Sequence, residues 1–119
     1  MLRPDRGIER VYLHRAPVDM RKQMDGLSIL AQDVLRQNPM SGSLFVFVNA
    51  RRNKLKILCW ERNGFVVWYK RLERERFHWP RAGTESVLTL NGEQLNWLLD
   101  GYDVWRMKPH EVLHFQVLS

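Results

Sequence analysis

The chain has 119 residues, 45% hydrophobic and 27% charged, which fits one globular domain over 1–119 and excludes a largely disordered chain. A formal net charge of +6 and a pI near 10.0 favour an anionic partner, with nucleic acid first. A single cysteine, Cys59, excludes an intrachain disulfide. The polar start "MLRPDRGIERVYL" and the lack of any run of roughly 18 apolar residues point to a cytoplasmic chain without a signal peptide or membrane span.

In chain order, "ERVYLHRAPVDM" predicts a short strand around Arg10 to His14 and a turn at Pro17. Asp19 is placed to cap a long helix over Met20 to Gln37. Met24, Leu27, Leu30, Ala31, Val34 and Leu35 recur at helical spacing and mark its buried face, and Asn38-Pro39 ends it. Strands follow over Leu44 to Asn49, Lys54 to Glu61 and Phe65 to Glu73. A further short strand is expected over Arg76 to Trp79, and "VLTL" offers another. Asn91 then caps a short helix, "GEQLNWLLDG", which stops at Gly101. The expected fold is α+β: an antiparallel meander of about four to six strands, one long helix on a face and a short second helix.

The positive charge is concentrated. Between Arg51 and Arg81 there are ten Lys and Arg against three Glu, a net of +7, more than the whole chain's surplus. "ERNGF" predicts a two-residue turn at Asn63-Gly64. That register pairs Trp60 with Val67, Leu58 with Tyr69, Lys56 with Arg71 and Lys54 with Glu73 on one face. The other face holds Cys59 with Trp68, Ile57 with Lys70 and Leu55 with Leu72. A four-residue loop, Ala50 to Asn53, adds Leu44, Val46 and Val48 to this aliphatic face, which suits a core against the first helix. Phe45 and Phe47 join the aromatic face. Lys56 opposite Arg71 would be an unfavourable like-charge pair. Arg51, Arg52, Lys54, Lys56, Arg71 and Arg74 fall at one end of the sheet, away from its apolar body.

A basic sheet end beside aromatic rings suits nucleic acid, since cations contact phosphates and rings stack on unpaired bases. The candidate residues are Arg51, Arg52, Lys54, Lys56, Trp60, Tyr69, Lys70, Arg71, Arg74 and Arg76. Lys70 points to the core face and is the weakest member. The alternative is that the rings are core and the cations solvated. Cys59 sits in an apolar strand pattern and reads as a small buried hydrophobe. "HEVLH", His110 to His114, matches a zinc-protease pattern, but only five residues follow it, with no further ligand and no second lobe. Walker, GxGxxG, GxSxG and CxxC motifs are absent, and the carboxylates show no two-metal pairing. No cofactor, metal or catalytic residue is expected.

Three blocks resemble one family: "PVDMRKQMDGLSIL" (Pro17 to Leu30), "LFVFVNARRNKLKILCWERNGFVVWYKRLERERFHWP" (Leu44 to Pro80) and "LTLNGEQLNWLLDGYD" (Leu88 to Asp103). In order and spacing they resemble the TnpB-type accessory protein, the second open reading frame, of insertion-sequence-66 transposable elements. The match carries over Asp19, Met20, Arg21, Lys22, Asp25, Gly26, Lys70, Arg71 and Leu72, with no catalytic role for any of them. Gln23 and the Arg74-Glu75 stretch depart from the family's usual Gly. The resemblance implies a bacterial mobile-element protein encoded beside a larger transposase that holds the acidic catalytic residues.

The expected function is therefore a non-catalytic accessory protein that assists transposition by binding DNA or the transposase–DNA complex. The alternative is a protein-interaction module that grips the transposase through the aromatic face and the "WYKRL" strand.

Overall fold

The computed structural model describes residues 10–107. Its elements are β1 (Val11–His14), α1 (Met24–Asp33), β2 (Leu44–Val48), β3 (Lys54–Glu61), β4 (Gly64–Arg71), β5 (Val87–Leu90) and α2 (Gly92–Leu99). The five strands form one sheet in the order β4-β3-β2-β1-β5. The α+β class holds, but the sheet is mixed: β1 runs parallel to β2, and every other pairing is antiparallel. A parallel pair needs a crossover, and the connection carrying α1 supplies it. The segment Arg76 to Trp79 is not a strand. It runs beside the sheet, with Phe77 donating its N–H to the Arg52 carbonyl at 2.7 Å and Phe77 and Trp79 buried.

Both sheet faces are covered. Leu44, Val46, Val48, Leu55 and Ile57 pack under Leu95, Leu98 and Leu99 of α2, together with Phe77, Trp79 and Val104. Phe45, Phe47 and Leu58 pack under Leu27, Ala31 and Leu35 of the α1 segment. The helix assignment is thus the reverse of the expected one: the long helix lies on the aromatic face, not the aliphatic one. Side-chain alternation separates two faces but does not say which helix covers which. The handedness of the β1–α1–β2 crossover decides that.

α1 is also shorter than its apolar periodicity suggests, and Asp19 does not cap it. Gln23 stands at the cap without a side-chain hydrogen bond. Asp19 instead closes a turn: its Oδ1 accepts the Arg21 N–H at 2.8 Å and its carbonyl accepts the Lys22 N–H at 3.1 Å. The carbonyls of Met20 and Lys22 accept from the Lys56 ammonium at 2.8 and 2.9 Å, on the sheet below. A chain tied down this way does not enter helical geometry until Met24, which is 41% exposed rather than buried. At the other end, Arg36 takes a left-handed φ of 57°, and the Gln37 N–H reaches the Ala31 carbonyl at 3.1 Å. This left-handed stop precedes Asn38-Pro39.

The hairpin register is displaced. The turn residues are Arg62 and Asn63, with Arg62 at φ 58°, and Gly64 already pairs with Glu61. Each β3 residue therefore meets a partner two positions earlier than expected: Trp60 faces Phe65, Leu58 faces Val67, Lys56 faces Tyr69 and Lys54 faces Arg71. A shift of two keeps every side chain on its assigned face. The observed register sets Trp60 edge-on to Phe65 at 5.0 Å and the Lys56 ammonium 5.8 Å from the Tyr69 ring centre. Cross-strand contacts of this kind outweigh the Asn-Gly turn preference. The Ala50–Asn53 loop is as expected, with Val48 opposite Leu55.

At α2, Asn91 forms a full capping box with Gln94, and Gly101 at φ 99° follows the helix. Asn91→Ala removes the side-chain acceptor for the Gln94 N–H. It is expected to cost about 1 kcal/mol in denaturant unfolding with an unchanged m-value.

Candidate nucleic-acid interface

The cationic end of the sheet is built around the β2–β3 loop. Asn49 organises that loop: its Oδ1 accepts the N–H groups of Asn53 and Lys54 at 3.1 and 3.0 Å, and its Nδ2 donates to the Asn53 Oδ1 at 2.8 Å. Arg52 sits in the left-handed region, and its N–H reaches the Asn49 carbonyl at 3.0 Å. The loop is then pinned from the other side, because Asn53 and Arg52 carbonyls accept the N–H groups of Leu72 and Phe77. These bonds bring Arg51, Arg52 and Lys54 to the same end as Arg71, Arg74 and Arg76.

The ten candidate residues divide by what their side chains already do. Arg51, Arg52, Lys54, Arg74 and Arg76 have no side-chain hydrogen bond or ion pair among the described residues. Arg71 faces Lys54 across the ladder and pairs with Glu73 at 3.0 Å, so the like-charge pair lies one step nearer the strand end than expected. Lys56 is engaged in holding the Met20 and Lys22 carbonyls. Lys70 points to the opposite face, as expected, and donates to the Leu99 carbonyl at 2.9 Å. A cation there satisfies an orphan carbonyl and suits the negative end of α2. Trp60 stands apart: it lies six residues along β3 from Lys54, roughly 20 Å away, and packs on Phe65 beside the turn. Phe45 and Phe47 are fully buried.

Two concavities flank this end. On the α1 side, an open trough of about 780 Å³ is lined by Arg21, Arg51, Lys54, Lys56 and Tyr69, with Asp19 among its walls. On the α2 side, Lys70, Arg74, Arg76 and His78 line a second concavity of about 600 Å³, with Glu75 and Asp100 among its walls. Arg21 was not among the candidates. Its side chain is 92% exposed and chelates Asp19 through Nε and Nη2, the shortest contact being 2.7 Å. The signal was the "VDMRK" pair of cations, but only the Lys56 latch reveals that this loop folds onto β3.

The Arg21 guanidinium, hydrogen-bonded to Asp19 and aided by the Arg21 N–H, pulls the Asp19 carboxyl down to about 2. Burial pushes the Cys59 thiol upward, and the nearby Glu61 charge adds to this. Cys59 is half-buried and carries the character of a packed hydrophobe rather than a thiolate. Among the described residues no group of three His, Cys, Asp or Glu could hold a metal ion, and no helix is long and apolar enough to cross a membrane. His110 and His114 lie outside the described residues.

Lys56→Met is expected to lower unfolding stability by about 1–3 kcal/mol, because two carbonyls lose a charged donor. Lys54→Met should stay within about 0.5 kcal/mol of the parent, and paired denaturant titrations check the contrast. The lowered Asp19 pKa means that its contribution is present above the ordinary carboxylate range and is lost as pH falls towards 2. An NMR titration of the Asp19 carboxyl should find its midpoint near there, returning to the ordinary range in Arg21→Ala.

The sequence model of the family described as "IS66 Orf2 like protein" matches residues 9–109. The uncharacterized protein y4hO of Sinorhizobium fredii (strain NBRC 101917 / NGR234) is 37% identical over 97 residues, covering 82% of this chain and 83% of that protein. The uncharacterized protein y4jC of the same strain is 32% identical over 112 residues, covering 94% of each chain. No solved structure matches. With three blocks in the expected order and a family match over most of its length, this chain belongs to the IS66 Orf2-like family of insertion-sequence accessory proteins.

Proposed function

We propose that the chain is a single, non-catalytic transposition accessory domain that binds DNA, alone or in complex with the element's transposase, through the basic end of its sheet. The observation that carries this reading is the pinned β2–β3 loop. It gathers two separate runs of cations at one end and leaves the side chains of Arg51, Lys54, Arg74 and Arg76 without partners among the described residues. Cations held on a stiff loop with no carboxylate of their own are suited to phosphates, which they bind with release of counterions. Arg52 and Arg71 extend the same surface. Lys56 and Lys70 support it from below, and their ammonium groups are already engaged. A cytoplasmic setting is consistent with this role.

A second reading has its own support. β4 is an outer strand of the sheet, eight residues long, without a bulge or proline. Such an edge accepts a strand from another protein, and "WYKRL" lies on it. In that case the transposase is the partner and DNA contact is indirect.

Fluorescence anisotropy separates the two. Labelled duplexes carrying the element's terminal repeat or a scrambled sequence are titrated at about 50 and 200 mM salt. The expected result is binding that falls steeply with salt, with the slope reduced by about one unit for each of Arg51→Ala and Lys54→Ala. Absence of binding at low salt would overturn direct DNA contact and favour the edge-strand reading, which co-purification with the transposase then checks.

A further inference from the structure

The trough on the α1 side has features that a simple phosphate-binding surface does not need. Tyr69 is the aromatic residue that stands beside the trough's cations and is also exposed, at 48%. Its ring is held in place by the Lys56 ammonium, 5.8 Å from its centre, and that ammonium is itself fixed by two backbone carbonyls. A ring presented by a locked cation loses little freedom on stacking. Arg51 and Lys54 stand along the same trough without partners among the described residues. The trough's carboxylate, Asp19, is neutralised by the Arg21 fork. The loop preceding α1 forms one wall of the trough, beside the Tyr69 ring and the cations.

We infer that this trough takes an unpaired stretch of DNA, with Tyr69 stacking on a base and Arg51 and Lys54 holding the flanking phosphates. The inference rests on the DNA-binding reading above and narrows it to the single-stranded form. Trp60, remote from the cations and packed on Phe65, takes no part. Alternating cations and an exposed ring along one groove are the general pattern of sequence-tolerant single-strand binding.

The test uses the full chain with a labelled oligonucleotide of about 12 nucleotides and with the blunt duplex of the same sequence, at about 50 mM salt. The expected result is at least about tenfold tighter binding of the single strand. Tyr69→Leu, which keeps an apolar side chain on the strand but removes the π-face, should weaken single-strand binding about 5- to 150-fold. Tyr69→Phe should restore it. Both variants are compared with the parent by thermal unfolding, so that a lost fold is not read as lost stacking. Arg51→Ala with Lys54→Ala should weaken both forms. Duplex binding as tight as single-strand binding, or an unchanged single-strand affinity in a folded Tyr69→Leu, would overturn the inference and leave DNA binding standing. No binding of either form would overturn both.

Discussion

The parallel pairing of β1 with β2 is the constraint from which the rest of the architecture follows. It obliges the chain to cross over the sheet between the two strands, and that crossing deposits α1 on the face of Phe45, Phe47 and Leu58. With one face closed, α2 and the Phe77–Trp79 segment take the other. A small sheet covered on both sides has no broad face left to offer a partner. Its ends and its outer strands remain, and the cations sit at one of those ends.

Two lysines show how the charge of a basic segment is divided between structure and surface. Lys56 and Lys70 lie on neighbouring strands and point to opposite faces. Each donates to backbone carbonyls of the layer it faces, Lys56 to the lead-in of α1 and Lys70 to the end of α2. A charged donor aimed at carbonyls that would otherwise lack a partner is worth more than an exposed ion pair. Both lysines therefore serve as fasteners between layers. The remaining cations, on the loop and beyond β4, project from a base that these fasteners hold still.

The parts of the fold legible in the sequence were those set by local pattern. The capping of α2 by Asn91, the four-residue loop after Asn49 and the alternation along β2, β3 and β4 all depend on near neighbours, and each could be read directly. The misread parts depend on distant residues. Asp19 has the chemistry of a helix cap, but Lys56, far along the chain, takes the carbonyls that helix entry at Met20 would have needed. Asn63-Gly64 has the chemistry of a tight turn, but the packing of Trp60 on Phe65 sets a register two residues away. The clustering of cations was legible as composition. Their separation into free, paired and engaged groups was not, because it is decided by contacts across the sheet.

The strand order also sets how much chain must be closed for each pairing to form. β2, β3 and β4 are joined by short turns, so their pairing closes only small loops. Among the described residues β5 pairs with β1 alone, and the β1–β2 pairing spans the whole crossover. The entropy of closing that long connection must be met before either outer contact is rewarded. The cationic end is carried largely by the meander joined by short turns, whereas β1 and β5 are tied to it only across long stretches of chain.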